Sequence, residues 1–262
     1  MHDNQQDSSS YLKKKTFFDR ILTIYGRKPV LEAVSHPNVE IFRLHLSESN
    51  KPASIIKDIV DICKKRNAEI IYHDKKSLSR ISKNSKQDQG IAVDLKPGQL
   101  FTFEDLFEEK SRTNEYIALD GVTNPQNLGM IIRSISASPI GGLILPKNGC
   151  AKIDSLVIKA SAGTLFKAKI FRCEDLSQAL ESASKRGFEI TALDVNAKQS
   201  IGEIDCREKS NIYVLGNETH GLSKAVEDRC TQFARIPMQN QVESLNVAVT
   251  ASLIAFRSVM RI

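Results

Sequence analysis

The stretch that decides the fold runs from residue 116 to residue 137 and reads YIALDGVTNPQNLGMIIRSISA. It opens with a short apolar run that is typical of a buried strand, and the polar, proline-containing segment after it is typical of a loop. The next apolar residues recur at helical spacing, i, i+3, i+4 and i+7: Leu128, Ile131, Ile132 and Ile135. This succession of strand, loop and amphipathic helix predicts an α/β fold.

The alternation continues toward the C-terminus. Strands are predicted at 116–120, 142–145, 168–171, 189–193, 211–215 and 233–236, and helices at 128–137, 154–165 and 176–186. Because most of these strands are short continuous apolar runs, we expect a parallel sheet that is covered on both faces. The segment 246–260 is apolar on nearly all sides, which indicates a helix buried in a core or against another subunit.

The N-terminal third predicts a separate, smaller α/β domain. Its expected helices are 28–34 and 54–66, and its expected strands are 39–46, 69–72 and 90–95. A Lys-Pro-Gly sequence at 96–98 then interrupts the pattern. The chain is therefore divided into a disordered basic arm (1–20), a small domain (21–98), a linker (99–113) and a larger domain (114–262).

The positive charge of the chain is confined to this N-terminal third. Residues 1–98 contain 18 lysines and arginines against 12 acidic residues, whereas residues 99–262 contain 19 of each. A basic domain beside a neutral one suggests that the first binds a polyanion and that the second carries out chemistry.

Several classes of protein are disfavoured by what the sequence lacks. It contains no Gly-x-Gly triplet and no GxxxxGK[ST], HExxH or GxSxG motif, which argues against an ordinary dinucleotide site, a P-loop and two common hydrolase sites. No apolar run approaches the length of a membrane span. The five cysteines are scattered without metal-ligand spacing, so we expect reduced thiols in a cytoplasmic protein and no metal site.

Three polar segments follow predicted strands, and single residues in them have ordinary structural explanations. Asn127 starts one helix, and Ser244 and Asn246 precede another, where capping residues are common. Arg133 lies about 150° from the apolar stripe of its helix, so it points to solvent or to a cleft. His220 is a candidate general base, although a loop histidine is more often a structural hydrogen-bonding group.

As a set, these segments resemble the SpoU/TrmH family of the SPOUT methyltransferases. The matching strings are DGVTNPQNLGMIIRS (120–134), VLGNETHGLS (214–223) and IPMQNQVESLNVAV (236–249). The small domain resembles the family's substrate-binding domain through GRKPVLEAV (26–34) and QGIAV (89–93). The resemblance implies an α/β fold with a C-terminal parallel-sheet domain that contains a deep trefoil knot.

The resemblance also implies S-adenosylmethionine as the methyl donor, bound largely by backbone groups of the knotted loops. The implied donor site contains Gly216, Ile236 and Leu245, with Leu215 and Met238 adjacent. A glycine permits close backbone approach, and apolar side chains can enclose an adenine ring.

The family's functional polar positions are matched by Asn127, Arg133, Glu218, Ser244 and Asn246. The implied reaction methylates a ribose 2′-hydroxyl, with 23S ribosomal RNA favoured over transfer RNA. Arginine is effectively always protonated, so we expect Arg133 to stabilise the nascent alkoxide or a phosphate rather than act as a base. Glu218 and Asn127 are expected to orient Arg133.

Family members are dimers whose C-terminal helices pack together, so the resemblance implies a homodimer through 246–260. Other functions stay open: a transfer RNA 2′-O-methyltransferase, a non-catalytic RNA-binding protein on the same fold, a base methyltransferase, or an enzyme acting on a small molecule or protein. The basic small domain disfavours the last of these. The SpoU-type segments favour the ribose over the base.

Overall fold

A computed structural model describes residues 21–37, 39–51, 53–83, 87–96, 100–108, 114–204 and 209–260. The expected N-terminal arm, 1–20, lies outside the described residues. The chain forms two compact units, Met1–Gly98 and Gln99–Ile262. Within the described ranges, no helix combines the length and the apolar character needed to cross a membrane.

The first unit is a four-stranded sheet with three helices. Its elements are β1 (Leu22–Tyr25), α1 (Arg27–Ser35), β2 (Glu40–Ser47), α2 (Ser54–Lys65), β3 (Glu69–His73), α3 (Lys75–Ser82) and β4 (Ile91–Lys96). The strand order is β1-β4-β2-β3, with β2 and β3 parallel and the other neighbours antiparallel. The sequence did not predict β1, which has only four residues, or α3, whose one fully buried apolar side chain is Leu78.

A chain of polar side chains crosses all four strands of this sheet. Thr23 Oγ1 on β1 donates to Asp94 Oδ1 on β4 at 2.6 Å, and Asp94 Oδ2 lies 3.0 Å from His45 Nε2 on β2. His45 Nδ1 lies 2.9 Å from His73 Nε2, at the end of β3. Because His45 and Asp94 are buried, either group would destabilise the fold without these partners.

The second unit contains eight strands, six α-helices and two 3₁₀ helices (Thr164–Phe166 and Ile201–Glu203) within its described residues. The strands are β5 (Leu100–Thr102), β6 (Glu115–Leu119), β7 (Leu143–Pro146), β8 (Ile170–Cys173), β9 (Glu189–Leu193), β10 (Gln199–Ser200), β11 (Asn211–Leu215) and β12 (Gln232–Arg235). The helices are α4 (Asp105–Glu108), α5 (Pro125–Ala137), α6 (Ser155–Ala160), α7 (Leu176–Lys185), α8 (Lys224–Glu227) and α9 (Val247–Phe256).

These strands form one sheet in the order β10-β12-β9-β11-β6-β7-β8-β5. Every neighbouring pair is parallel, and all residues of β6 and β11 are buried. The predicted fold class, a parallel-sheet domain after a small α/β domain, is confirmed. The trefoil knot stays a prediction.

Two segments differ from the sequence-based expectation. The helix expected at 154–165 ends at Ala160, because Ala162 and Gly163 take left-handed backbone conformations with φ of 49° and 74°. The segment 99–113, expected to be a linker, contributes β5 and α4 to the second unit. Its Phe101 ring stacks on Phe171 at 5.4 Å, so apolar packing fixes the first half of this segment.

Helix α9 is half buried. Its inner face packs against α5, with Ser134 Oγ and Ser252 Oγ 2.7 Å apart. On the outer face, Val249 is 47% exposed and Leu253 is 39% exposed. The sequence left open whether this helix lies in the core or against another subunit. Within the chain, one face is core and the other carries exposed apolar side chains.

The end of α9 is anchored by Arg257, whose side chain is largely buried. The guanidinium donates to the Ile201 carbonyl at 3.2 Å and to the hydroxyl of Tyr213 on β11. It also lies 3.4 Å from a carboxylate oxygen of Glu115 on β6, and Tyr213 donates to the same oxygen at 2.9 Å. The last turn of α9 is thereby tied to two central strands.

The polar chain in the first unit predicts a response to mild acid. Burial, followed by the neighbouring His45, lowers the pKa of His73 below its ordinary value of 6.5. The folded state therefore binds fewer protons at His73, and the stability that this group contributes is complete above pH 6.5 and is lost as the pH falls toward the folded-state pKa. We expect the free energy of unfolding to fall more steeply below pH 6.5 in the wild type than in His73→Gln.

Urea titrations at a series of pH values, followed by circular dichroism, measure this difference. Parallel pH profiles for the two proteins would contradict a role for His73.

Candidate active site

A cleft lies at the carboxyl ends of β9, β11 and β12. Its volume is about 490 Å³, which is in the range of small-molecule sites. Parallel sheets place ligand sites at this edge because the loops after neighbouring strands converge there. The cleft is lined by Leu193, Asp194, Val195, Leu215, Gly216, Asn217, Glu218, Gly221, Leu222, Arg235, Ile236, Met238, Glu243, Ser244, Leu245, Asn246, Val247 and Thr250.

All five residues that sequence analysis assigned to the donor site line this cleft. They come from the end of β11 (Leu215 and Gly216), from the segment after β12 (Ile236 and Met238) and from the segment before α9 (Leu245). Leu215 is buried in the sheet, whereas Leu245 is 37% exposed. Apolar surface therefore extends from the floor of the cleft to its rim.

The chain passes close to itself at Gly216. A Cβ atom at this position would lie 2.4 Å from the carbonyl carbon of Gly221 and 2.7 Å from the backbone nitrogen of Leu222. No larger residue fits there unless the backbone moves. Two hydrogen bonds of 2.9 Å between Asn217 and Gly221 close the loop between them.

The side chain of Asn217 holds this loop against the loop after β6. Its Nδ2 donates to the Gly121 carbonyl at 2.8 Å, and its Oδ1 accepts from the backbone nitrogens of Thr219 at 2.8 Å and His220 at 3.1 Å. His220 is exposed, and its ring makes no hydrogen bond to the described residues. The structure therefore brings no partner to His220 that would prepare it as a general base.

Asn127 joins two of the polar segments. Its amide nitrogen donates to Glu218 Oε1, and its amide oxygen accepts from Asn246 Nδ2 at 3.2 Å. Asn246 in turn accepts from the backbone nitrogen of Ala248 at 2.9 Å and so caps α9. Because Asn127 is only 6% exposed, both partners are needed to satisfy its buried amide.

The capping expectation holds for Asn246 and needs correction for Asn127 and Ser244. Asn127 is not the N-cap of α5, because Pro125 already begins that helix and Asn124 caps it by accepting from the backbone nitrogen of Gln126 at 2.9 Å. Asn246 is the N-cap of α9. Ser244 is exposed and lines the cleft without capping the helix.

Arg133 lies outside the cleft. It is on the exposed side of α5 and makes no hydrogen bond or ion pair with the residues that the structure describes. The expected pairing with Glu218 and Asn127 is absent within the chain, since those two residues bond to each other. Met130, one turn earlier on the same face, is 43% exposed. Arg133 thus borders an apolar part of the surface.

Five residues that line the cleft lie outside the segments singled out by sequence analysis: Leu193, Asp194, Val195, Arg235 and Thr250. Asp194 and Val195 directly follow β9, so the rule that ligands bind beyond the carboxyl ends of parallel strands could have found them. Arg235 and Thr250 lie inside a predicted strand and a predicted helix, where the pattern carries no sign of a site.

The charged side chains that line the cleft are mostly acidic. Three carboxylates line it, Asp194, Glu218 and Glu243, against the single guanidinium of Arg235. The excess of negative charge favours a ligand that carries positive charge.

The loop between β12 and α9 contains two consecutive residues with left-handed backbone conformations. Asn240 has a φ of 54° and Gln241 a φ of 58°. Asparagine tolerates this conformation, but glutamine adopts it less readily, so the loop stores backbone strain. Such strain is common where a loop shapes a ligand site.

Thiol chemistry does not fit the described cysteines. Burial raises the pKa of Cys173 to about 12 and that of Cys230 to about 11, and neither residue lines the cleft. Both are therefore protonated, unreactive thiols at neutral pH. In the described ranges, no three His, Cys, Asp or Glu residues are grouped in a way that could hold a metal ion.

Comparison with protein families matches both units. Residues 114–256 match the SpoU rRNA Methylase family, and residues 23–101 match the RNA 2′-O ribose methyltransferase substrate binding family. The first match covers more than half of the chain, and the two together define the chain as an RNA methyltransferase with a substrate-binding domain. The chain belongs to the SpoU rRNA methylase family, which confirms the resemblance seen in its motifs.

Individual relatives agree with this assignment. An uncharacterized tRNA/rRNA methyltransferase of Mycolicibacterium vanbaalenii is 30% identical over 92% of this chain and 76% of its own. The AdoMet-bound rRNA methyltransferase of Sinorhizobium meliloti has a TM-score of 0.60 at 23% identity, covering 95% of this chain and 91% of its own. The AdoMet complex of the SpoU methyltransferase AviRb from Streptomyces viridochromogenes has a TM-score of 0.60 at 22% identity, covering 94% and 92%. The two structures share the fold.

The two roles of Asn246 can be separated by mutation. Asn246→Ala removes the capping oxygen and the donor to Asn127, so we expect the free energy of unfolding to fall by about 1 kcal/mol. Asn246→Ser keeps a capping oxygen but is too short to reach Asn127, so we expect most of the stability to return. Guanidinium titrations of the two variants beside the wild type measure both effects. Equal losses in the two variants would show that capping is not what Asn246 contributes.

Proposed function

We propose that this chain transfers a methyl group from S-adenosylmethionine to a ribose 2′-hydroxyl of structured RNA, with 23S ribosomal RNA favoured as the substrate. One observation carries the proposal. The residues expected to bind the donor line a single cleft, and Glu218 and Asn246 on the wall of that cleft are joined through the buried Asn127.

The cleft suits the proposed donor. S-adenosylmethionine supplies a methyl group that is activated by a positively charged sulfonium. Ile236, Met238 and Leu245 offer apolar surface for adenine, and Gly216 lets backbone groups approach closely. The carboxylate of Asp194 can accept hydrogen bonds from ribose hydroxyls. The negative charge of the lining suits the sulfonium.

The acceptor hydroxyl is a poor nucleophile until its proton is removed or its developing charge is stabilised. Glu218 is held at one oxygen by Asn127, which fixes the direction of its carboxylate. We assign Glu218, Asn127, Ser244 and Asn246 to positioning the acceptor at the cleft. Arg133 carries a permanent positive charge, so its role is to stabilise the alkoxide or a nearby phosphate.

The position of Arg133 supports a site shared between two copies of the chain. The residue lies on the exposed face of α5 beside Met130, and α5 packs against α9, whose Val249 and Leu253 are exposed. An apolar surface of this kind is typical of a subunit interface. A homodimer through α9 would bury it and carry Arg133 into the interface. A monomeric mass in analytical ultracentrifugation would contradict this part of the proposal.

Three observations bear on the substrate and the setting. The first unit carries the basic excess and matches a substrate-binding family of ribose methyltransferases, which supports an RNA substrate with a 2′-hydroxyl as the acceptor. The relative from Mycolicibacterium vanbaalenii is named for both transfer and ribosomal RNA, so transfer RNA is the second candidate. The four described cysteines are free thiols, which supports a cytoplasmic protein.

Methylation of total bacterial RNA with tritium-labelled S-adenosylmethionine tests the proposal. Nucleoside mass spectrometry of the product is expected to show a 2′-O-methyl ribose in ribosomal RNA. A methyl group on a base or in transfer RNA alone would correct the proposal. No incorporation at all would favour a non-catalytic RNA-binding protein.

The role of Arg133 predicts the behaviour of two variants in this assay. Lysine keeps the charge but cannot reproduce the planar fork, so we expect Arg133→Lys to lower kcat by roughly tenfold. Removing the charge in Arg133→Ala is expected to lower kcat by about a hundredfold. Donor affinity is expected to stay unchanged in both. Near-normal turnover of Arg133→Lys would rule out a bidentate role.

The contact at Gly216 predicts a loss of donor affinity. Since a Cβ atom there collides with the backbone of Gly221, Gly216→Ala must displace the loop, and we expect the Kd for S-adenosylmethionine to rise by about tenfold or more. Gly202→Ala is the matched control, because its Cβ would only approach Ser200 Oγ at 3.8 Å. Calorimetric titration measures both. Unchanged binding by Gly216→Ala would place the donor elsewhere.

A further inference from the structure

We propose that the first unit binds the phosphate backbone of its RNA through the outward side of α3. This surface, the α3 stripe, consists of Lys76, Arg80 and Lys83, all exposed. The inference rests on the proposed function, because it takes the partner to be the RNA substrate.

The spacing of the stripe places two of its cations on one face of the helix. Lys76 and Arg80 stand at i and i+4, so their side chains lie above one another along the helix surface, about 6 Å apart along its axis. The buried residues of the helix, Leu78 and Ser82, lie on the opposite side. Lys83 directly follows the helix as its C-cap and is also exposed.

The charges of α3 are not compensated within the helix. All of its charged residues are basic, and the described residues form no ion pair with the stripe. The carboxylate of Asp74, before the helix, accepts two hydrogen bonds of 2.8 Å from Ser77 and also attracts Arg80 without forming an ion pair. Like charges at i, i+4 destabilise a helix by a few tenths of a kcal/mol. Arg80 and Lys83 lie at the C-terminal end of α3, where the helix dipole favours cations, so this row of like charges is compatible with a stable helix.

Helix α2, the longest helix of the unit, shows the contrast. On α2, Asp61 stands four residues from both Lys57 and Lys65, so opposite charges alternate along the exposed surface. The exposed surface of α2 therefore carries both signs of charge, as is common for a solvated helix, whereas all charged residues of α3 are basic.

The end of α3 supports the same interpretation. Lys83 takes a left-handed backbone conformation with a φ of 54°, a position where glycine or asparagine is usual. The lysine side chain, at some conformational cost, extends the positive surface by one more residue.

The chemistry of the stripe fits phosphate. Lysine and arginine bind phosphate oxygens as point charges and as a bidentate fork. A protein partner would require an apolar or aromatic anchor at the centre of the contact, and none of the three side chains supplies one. Helix α3 also packs against all four strands of the sheet, so the cations stand on a rigid support.

Salt-dependent RNA binding tests the proposal on the full chain. The variant is Lys76→Gln/Arg80→Gln/Lys83→Gln, and the probe is a fluorescein-labelled RNA hairpin with an unpaired loop. Loss of three phosphate contacts is expected to lower the slope of log K against log salt by about 2 to 3, and to raise the Kd near 0.1 M salt on the order of 10- to 100-fold. Arg80→Gln alone is expected to lower the slope by about 1.

The matched control is Lys57→Gln/Lys64→Gln/Lys65→Gln on α2, which changes the net charge equally. We expect this control to stay within about threefold of the wild-type Kd. Equal weakening by both triple variants, or an unchanged slope in the α3 variants, would overturn the proposal. If the α3 triple variant does not fold, the slope measured for Arg80→Gln decides.

Failure of the inference and failure of the proposed function give different results. Wild-type protein that methylates RNA, beside α3 variants that bind the hairpin normally, means that the α3 stripe is not the RNA surface. Wild-type protein that transfers no methyl group, beside α3 variants that lose hairpin affinity, means that the stripe binds RNA but the catalytic proposal is wrong.

Discussion

The cleft of the second unit depends on one buried amide. Asn127 bonds to Glu218, 91 residues further along the chain, and to Asn246, 119 residues further. Only a side chain with both a donor and an acceptor can accept from one of these residues while it donates to the other. A carboxylate or an apolar group at 127 would leave one partner unsatisfied in a partly buried place. This single side chain therefore fixes the relative positions of the loop after β11 and the start of α9.

The two units have opposite electrostatic preferences. The basic excess of the chain lies in residues 1–98, where α3 exposes a row of cations. The cleft of the second unit is lined by three carboxylates and one arginine. The charge of the first unit favours a polyanion, whereas the lining of the cleft favours a ligand that carries positive charge. The two charge patterns therefore suit ligands of opposite sign.

Much of the fold follows from local pattern, and what was missed depends on distant contacts. The runs 189–193 and 211–215 predict β9 and β11 to the residue, because strands buried on both faces are short runs of mostly apolar residues. Helix α3 was not predicted. Leu78 is its one buried leucine, and a single buried apolar residue gives no helical period that a sequence pattern could reveal. The angular position of Arg133 correctly predicted an exposed side chain but could not decide between solvent and cleft. Its absence from the cleft, like the bond from Asn127 to Glu218, depends on how segments far apart in sequence meet.

The anchoring of α9 at both ends has a consequence for biosynthesis. Asn246 fixes its start, and Arg257 ties its end to β6 and β11. The strands that end at the cleft all precede α9 in the sequence, so during translation they leave the ribosome before the segment that forms one wall of the cleft. A nascent chain arrested before residue 246 contains the strands of the sheet and the loop between Gly216 and Gly221, but it lacks that wall. The order of synthesis thus delays formation of the complete cleft until nearly all described elements have been made.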